Sequence, residues 1–377
     1  MNNIVQHEFI VFAYDHYNPL GVIRSLGENG IKPIFIAVKH KVDLGIKSKY
    51  IKQFYSVQSV EEGYKCLLSI IDRASQKPFL ITCDDKTTGF LDDRFLELRD
   101  KIYFFNAGQQ GRINEFMRKD KILNIAKKHG LNILDTHVVT KGEIPCGLEY
   151  PIITKSISPN DGGWKSDVFI CESEDDLLKA FSQIKSSTVL LQKFIKKRNE
   201  LCIDGFSALK GEQCFFGIAS KYKYLIQGYY SPFMDVFDFN DEKIEKCLRN
   251  MLKEIGFDGV FSIEFLEDSN GDYYFCEVNF RNSTWSYAST VCGMPLPLLW
   301  ATACVNVHID KTWKKHVPKD FTAMVEPVDY EKRKELNLSN FIDWLPDFKK
   351  CNCPFYYGKG EDLVPFYEMI KNWDKLK

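Results

Sequence analysis

The sequence predicts an α/β protein, with an open parallel sheet at the N-terminus followed by mixed strand and helix. Three observations carry this. Apolar strand patterns alternate with helical ones through the first third of the chain. From about residue 112 that regular alternation gives way to longer helices and hairpins. Finally, "GVFSIEFLED" (259–268) and "DYYFCEVNFRN" (272–282) flank Ser269-Asn270-Gly271, the strongest hairpin signal in the chain.

The elements follow in order. "FIVFAY" (9–14) reads as a strand, "GVIRSLGENG" (21–30) as a helix closed by Gly30, and "KPIFIAV" (32–38) as the next strand. A helix around 61–74, the strand "KPFLITC" (77–83), a helix near 92–99 and the strand "KIYFFN" (101–106) complete the series. Repeated strand–helix units of this kind require parallel strands. A dinucleotide fold is disfavoured, because the loop after the first strand, "DHYNPLGVIRSLG", lacks G-x-G-x-x-G. Arg24, on the first helix near the carboxyl edge of this sheet, reads either as a substrate-carboxylate ligand or as a surface arginine.

Beyond 112, "NEFMRKDKILNIAKKHG" (114–130) is a helix and "YPIITKSI" (150–157) a strand. The polar loop "SPNDGGWKS" (158–166) and the strand "DVFIC" (167–171) precede a helix capped by Ser173 and Asp176. "TVLLQKFI" (188–195) is a strand, 200–221 a hairpin turning at Lys210-Gly211, and 241–255 a helix. After about 310 the pattern becomes irregular and assigns no role.

At 377 residues the chain fits about two or three domains. Fifty basic against 51 acidic residues leave a formal charge of −1, without the basic stripe of a nucleic-acid binder. The N-terminal apolar run is too short for a signal peptide or membrane span, so a cytoplasmic protein is expected. Twelve scattered cysteines without metal spacing read as reduced thiols.

The chemistry lies in the last hairpin. Strand side chains alternate faces, so Glu277, Asn279 and Arg281 share one side and Cys276, Val278 and Phe280 the other. If Glu264 of the preceding strand faces the same way, two carboxylates and an amide oxygen converge. Oxygen donors without histidine or cysteine suit a hard divalent cation. Arg281 beside them suits a phosphate or carboxylate. The alternative is an exposed face with a weak Glu–Arg surface pair.

With these residues in order, the sequence resembles the ATP-grasp superfamily, in which an acidic strand residue precedes Glu-x-Asn-x-Arg. The resemblance implies that Glu264, Glu277 and Asn279 hold Mg²⁺ (or Mn²⁺), with Arg281 at the transferring phosphoryl group. It implies phosphate-binding lysines at Lys121, in "RKDKIL", and at Lys155, in "PIITKS", before a lid containing Gly162 and Gly163. "LLQKFI" resembles the adenine hinge, putting Gln192, Lys193, Phe194 and Ile195 against the base and Glu200 on the ribose. Two features depart from the pattern: Phe280 stands where many members have Pro, and Gln192-Lys193 replaces a carboxylate pair.

The implied fold is an N-terminal open parallel α/β domain (1–112) and a two-lobed ATP-grasp domain. Its small lobe with the lid spans 113–196 and its C-terminal lobe with the metal site 197–310, leaving 311–377 as an extension. The implied activity is an ATP-dependent carboxylate–amine ligase, with Arg281 and Lys155 catalytic and an acyl phosphate between substrates. Its expected partners are a small carboxylate and an amine, amino acid or peptide in kind, and a homodimer is a common assembly for such ligases. The alternatives are a catalytically inactive nucleotide-binding module and a carboxylase-type enzyme.

Overall fold

Short apolar runs flanked by one-sided helices build the first sheet. In the computed structural model, which describes residues 4–158, 166–226 and 230–376, β1 (Phe9–Tyr14), β2 (Ile34–Val38), β3 (Gln53–Val57) and β4 (Phe79–Thr82) lie in the order β3-β2-β1-β4, all parallel. β1, β2 and β4 are buried almost throughout, as strands covered on both faces must be. The edge strand β3, "QFYSV", is largely exposed and lacks the apolar run that marks its neighbours. Its polarity hid it from sequence analysis. Helices Tyr17–Gly27, Val60–Ile71 and Asp85–Asp92 start on the side chains of His16, Ser59 and Asp84, which accept orphan backbone N–H groups. The expected strand 101–106 is not one. It makes a single parallel bridge, Tyr103 to Phe79, while Phe104 and Phe105 serve as core.

The second sheet is antiparallel: β5 (Thr136–Thr140), β6 (Ile152–Ser156), β7 (Ile170–Cys171) and β8 (Thr188–Lys193) in the order β5-β8-β6-β7. Ile152, Val189 and Leu191 pack with Leu177 and Phe181 of the helix Glu174–Gln183.

The third sheet has seven strands: β9 (Asn199–Ala208), β10 (Gln213–Tyr222), β11 (Phe233–Phe237), β12 (Gly259–Glu267), β13 (Tyr273–Asn279), β14 (Thr322–Met324) and β15 (Cys353–Pro354). Their order is β13-β12-β9-β10-β11-β14-β15. The turn between β9 and β10 carries three left-handed residues, Leu209, Lys210 and Gly211. A Cβ at Gly211 would meet the Leu252 carbonyl oxygen at 2.3 Å, which accounts for the glycine. The first and third sheets share one core, in which Phe79 meets Trp300 edge-on at 5.9 Å.

Beyond residue 310, where the sequence assigns no role, β14 and β15 complete the seven-stranded sheet. Arg24 is neither a surface residue nor a substrate ligand. It is 1% exposed and donates through Nε to Asp362 Oδ2 at 3.0 Å, and through Nη2 to the Tyr356 carbonyl at 2.9 Å. Asp362 also accepts from Ser48 Oγ at 2.7 Å and Lys49 N at 2.9 Å, so the chain's end is clamped to its first domain.

Candidate active site

The β12–β13 register brings Glu264 directly opposite Glu277 and Ser262 opposite Asn279. Between the Glu264–Glu277 and Phe265–Phe275 pairs the ladder skips Cys276. This bulge breaks the strict alternation, so Cys276 lines the cleft beside Glu277 instead of facing away. Val278 and Phe280 do enter the core, Phe280 against Phe257 at 4.9 Å.

A chain of hydrogen bonds runs along the hairpin. Asn279 Nδ2 donates to Glu264 Oε1 at 2.9 Å, and Arg281 Nη2 donates to Asn279 Oδ1 at 3.0 Å. Arg281 Nε reaches Asp85 Oδ1 at 2.8 Å, across to the first sheet. Two cavities meet at the carboxylate pair. The smaller, about 170 Å³, includes Lys119, Lys155, Gln192, Glu200, Glu264 and Glu277. The larger, about 440 Å³, shares Lys119, Glu264 and Glu277 and extends past Asp85, Arg281 and Trp285.

Most predicted residues meet here. Lys155 Nζ donates to Gln192 Oε1 at 2.9 Å, and Gln192 Nε2 donates to Thr136 Oγ1 at 3.0 Å. Glu200 is held by Lys197 and by the Tyr222 hydroxyl. Lys121 does not join them: it is exposed, and the lysine in the cleft is Lys119, whose Nζ donates to Glu277 Oε2 at 2.6 Å. Helical phase explains the difference. Lys119 stands three and four residues before buried Ile122 and Leu123, on the inward face that Lys121 misses. Lys193 is exposed beside Glu149 at 3.8 Å, and Phe194 and Ile195 are half-buried outside both cavities. Gly162 and Gly163 lie outside the described residues. Asp85 and Tyr17 escaped sequence analysis, although both sit just past the carboxyl ends of parallel strands, where open sheets bind ligands.

Against known proteins, no family model and no curated protein matches the sequence. Solved structures do match in shape. N5-carboxyaminoimidazole synthetase from Staphylococcus aureus complexed with ADP gives a TM-score of 0.65 at 15% identity, over 89% of this chain and 86% of that one. L-amino acid ligase from Bacillus licheniformis gives 0.61 at 14% identity, over 79% and 74%. Biotin carboxylase from Campylobacter jejuni gives 0.60 at 18% identity, over 84% and 73%. The chain has the ATP-grasp fold.

Charge is unevenly settled in this ATP-grasp cleft. Burial, and then the neighbouring Glu277 and Glu200, push Glu264 up to about 8. Lys119 holds Glu277 below the usual carboxylate range despite its burial. Burial works against the charge on Lys119, but Glu277 outweighs it and the amine ends up raised. Burial lowers Lys155, which has no carboxylate in ion-pair contact among the described residues. Burial likewise opposes charge on Arg281, and Asp85 more than offsets it. Among the described residues no group of three or more His, Cys, Asp or Glu is placed to hold a metal. Glu264, Glu277 and Asn279 could offer two carboxylates and an amide oxygen, although Asn279 Oδ1 accepts here from Arg281. Such oxygen donors suit Mg²⁺, which keeps part of its water shell. A divalent cation would also oppose the burial and repulsion that raise Glu264.

All twelve cysteines are free thiols. Among the described residues no helix is long and apolar enough to cross a membrane.

Proposed function

We propose that this chain is an ATP-dependent carboxylate–amine ligase forming an amide through an acyl phosphate. The observation that carries the reading is the meeting of two cavities at Glu264 and Glu277, with Lys119 shared by both. The smaller cavity, with Lys155, Gln192 and Glu200, suits the nucleotide; the larger, with Arg281 and Asp85, suits the carboxylate and amine. Glu264, Glu277 and Asn279 would hold Mg²⁺, which when bound neutralises charge on the β- and γ-phosphates.

Phosphoryl transfer depends on position and charge more than on covalent catalysis. Lys119 and Lys155 supply positive charge along the phosphates. Glu200 accepts from the ribose hydroxyls, and Gln192 contacts the adenine edge. Arg281 aligns the substrate carboxylate, one oxygen of which attacks the γ-phosphorus as its bond to ADP breaks. The amine then attacks the acyl carbon, inorganic phosphate leaves with the C–O electrons, and the ammonium proton is lost to solvent. Arg281 remains to stabilise the tetrahedral intermediate. In this reading the N-terminal domain (1–112) supplies substrate contacts together with Arg281, and the rest of residues 113–310 the nucleotide and metal contacts.

The test is ADP release from Mg·ATP across a panel of amino acids and peptides, with hydroxylamine replacing the amine. A hydroxamate formed with one carboxylate supports the reading. Turnover that depends on bicarbonate and yields no hydroxamate would instead identify a carboxylase. ATP binding without any turnover would identify an inactive nucleotide-binding module.

A further inference from the structure

A third cavity, about 370 Å³, lies beside the proposed active site and has no part in the phosphoryl-transfer scheme. One wall follows the carboxyl ends of β1 and β2, through His16, Tyr17 and Leu44. The facing wall is the end of the chain: Val328 on the helix Glu326–Glu335, then Tyr356 and Trp373. Rings and aliphatic groups supply most of the cavity's surface, with the charged side chains of Asp15, Lys41, Glu331, Lys332 and Glu335 set among them. Tyr17 meets His16 edge-on at 5.3 Å and lies tilted against Tyr356 at 5.9 Å.

Tyr17 also lines the 440 Å³ cavity, as does Tyr230. The two hydroxyls lie 2.9 Å apart. The two cavities are thus neighbours that share the Tyr17 ring, with the proposed phosphoryl-transfer residues lining one of them. A pocket of this size whose surface is mostly apolar gains by burying an apolar group, even with charged side chains in its lining.

We infer that the third cavity is the side-chain pocket for the carboxylate substrate, which is an amino acid or peptide with an aromatic or large aliphatic side chain. This rests on the ligase reading above. With the carboxylate at Arg281, the side chain passes Tyr17 and is buried against Leu44, Val328, Tyr356 and Trp373. The C-terminal segment, clamped through Arg24 and Asp362, thereby becomes a specificity element.

The experiment compares alanine, leucine and phenylalanine in the hydroxylamine-coupled assay, using the full chain and Val328→Trp, which fills the pocket away from the reacting atoms. The wild type is expected to show KM values for leucine or phenylalanine roughly tenfold or more below that for alanine. Val328→Trp should raise the KM for leucine and phenylalanine roughly tenfold relative to that for alanine. Equal KM values in the wild type, or a shift of all three substrates together in the variant, would overturn the inference while leaving the ligase reading standing.

If none of the three yields a hydroxamate, the ligase reading fails for these acids and binding decides the pocket separately. Titration with phenylalanine should then quench fluorescence in the wild type, with alanine giving no response. The signal should be lost in Trp373→Phe and in Val328→Trp. No response to phenylalanine, or the same response to both amino acids, would overturn the pocket assignment.

Discussion

The two cavities that meet at Glu264 and Glu277 are built from different kinds of sequence. The smaller draws on residues 119–277, mostly on strands whose register or helices whose phase aims them inward. The larger needs Tyr17 and Asp85 from one domain beside Arg281, Ser283 and Trp285 from another. They come together only because the first and third sheets share a core. The lining of the smaller cavity is encoded in local periodicity, whereas that of the larger is encoded in tertiary packing.

The largest expected effect concerns the packing on which the substrate side depends. Asp362→Ala leaves Arg24 buried without its counter-charge, and a loss of about 3–5 kcal/mol is expected in chemical denaturation. A change no larger than that of an exposed substitution would mean that the C-terminal clamp is dispensable. Next, Lys119→Ala should lower kcat/KM roughly 10²-fold, whereas Lys121→Ala should stay within about threefold. Steady-state kinetics that reversed this order would return the role to Lys121.

On the substrate side alone, Asp85→Asn releases the carboxylate that orients Arg281. The carboxylate KM should rise about tenfold while the ATP KM holds. Parallel changes in both would erase the division between the cavities.

The smallest effect is a pH slope. Asp204 is buried on β9 against Ser283 and Ser286, and burial pushes it from 3.8 to about 6. Between those values the folded chain binds more protons than the unfolded one, so stability falls as pH rises through the window and the loss is complete above about 6. Asp204→Asn should flatten this part of the stability profile in urea titrations. An unchanged slope would place the titration elsewhere.

The same division decides what was legible in the sequence. The shared face of Glu277 and Asn279 was legible from strand alternation, whereas Glu264 joined it only as a condition and Lys155 came from the resemblance. The bulge at Cys276 was not visible, because a skipped pairing depends on the partner strand and not on the residue itself. Lys119 was present in the pattern, on the face of Ile122 and Leu123, but the Asp-Lys spacing drew attention to Lys121. Residues 311–377 resisted reading because their partners, Arg24 and the edge of β11, are remote in sequence and no local pattern marks them.

The most direct test of the central claim is hydroxamate formation from Mg·ATP and a carboxylate panel by the wild type and Glu277→Gln. A hydroxamate with one class of carboxylate is expected in the wild type. In Glu277→Gln the rate should fall roughly 10³-fold or more, with the thermal midpoint preserved. Near-full activity in Glu277→Gln would remove this carboxylate pair from the reaction, and with it the claim that the two cavities form one active site.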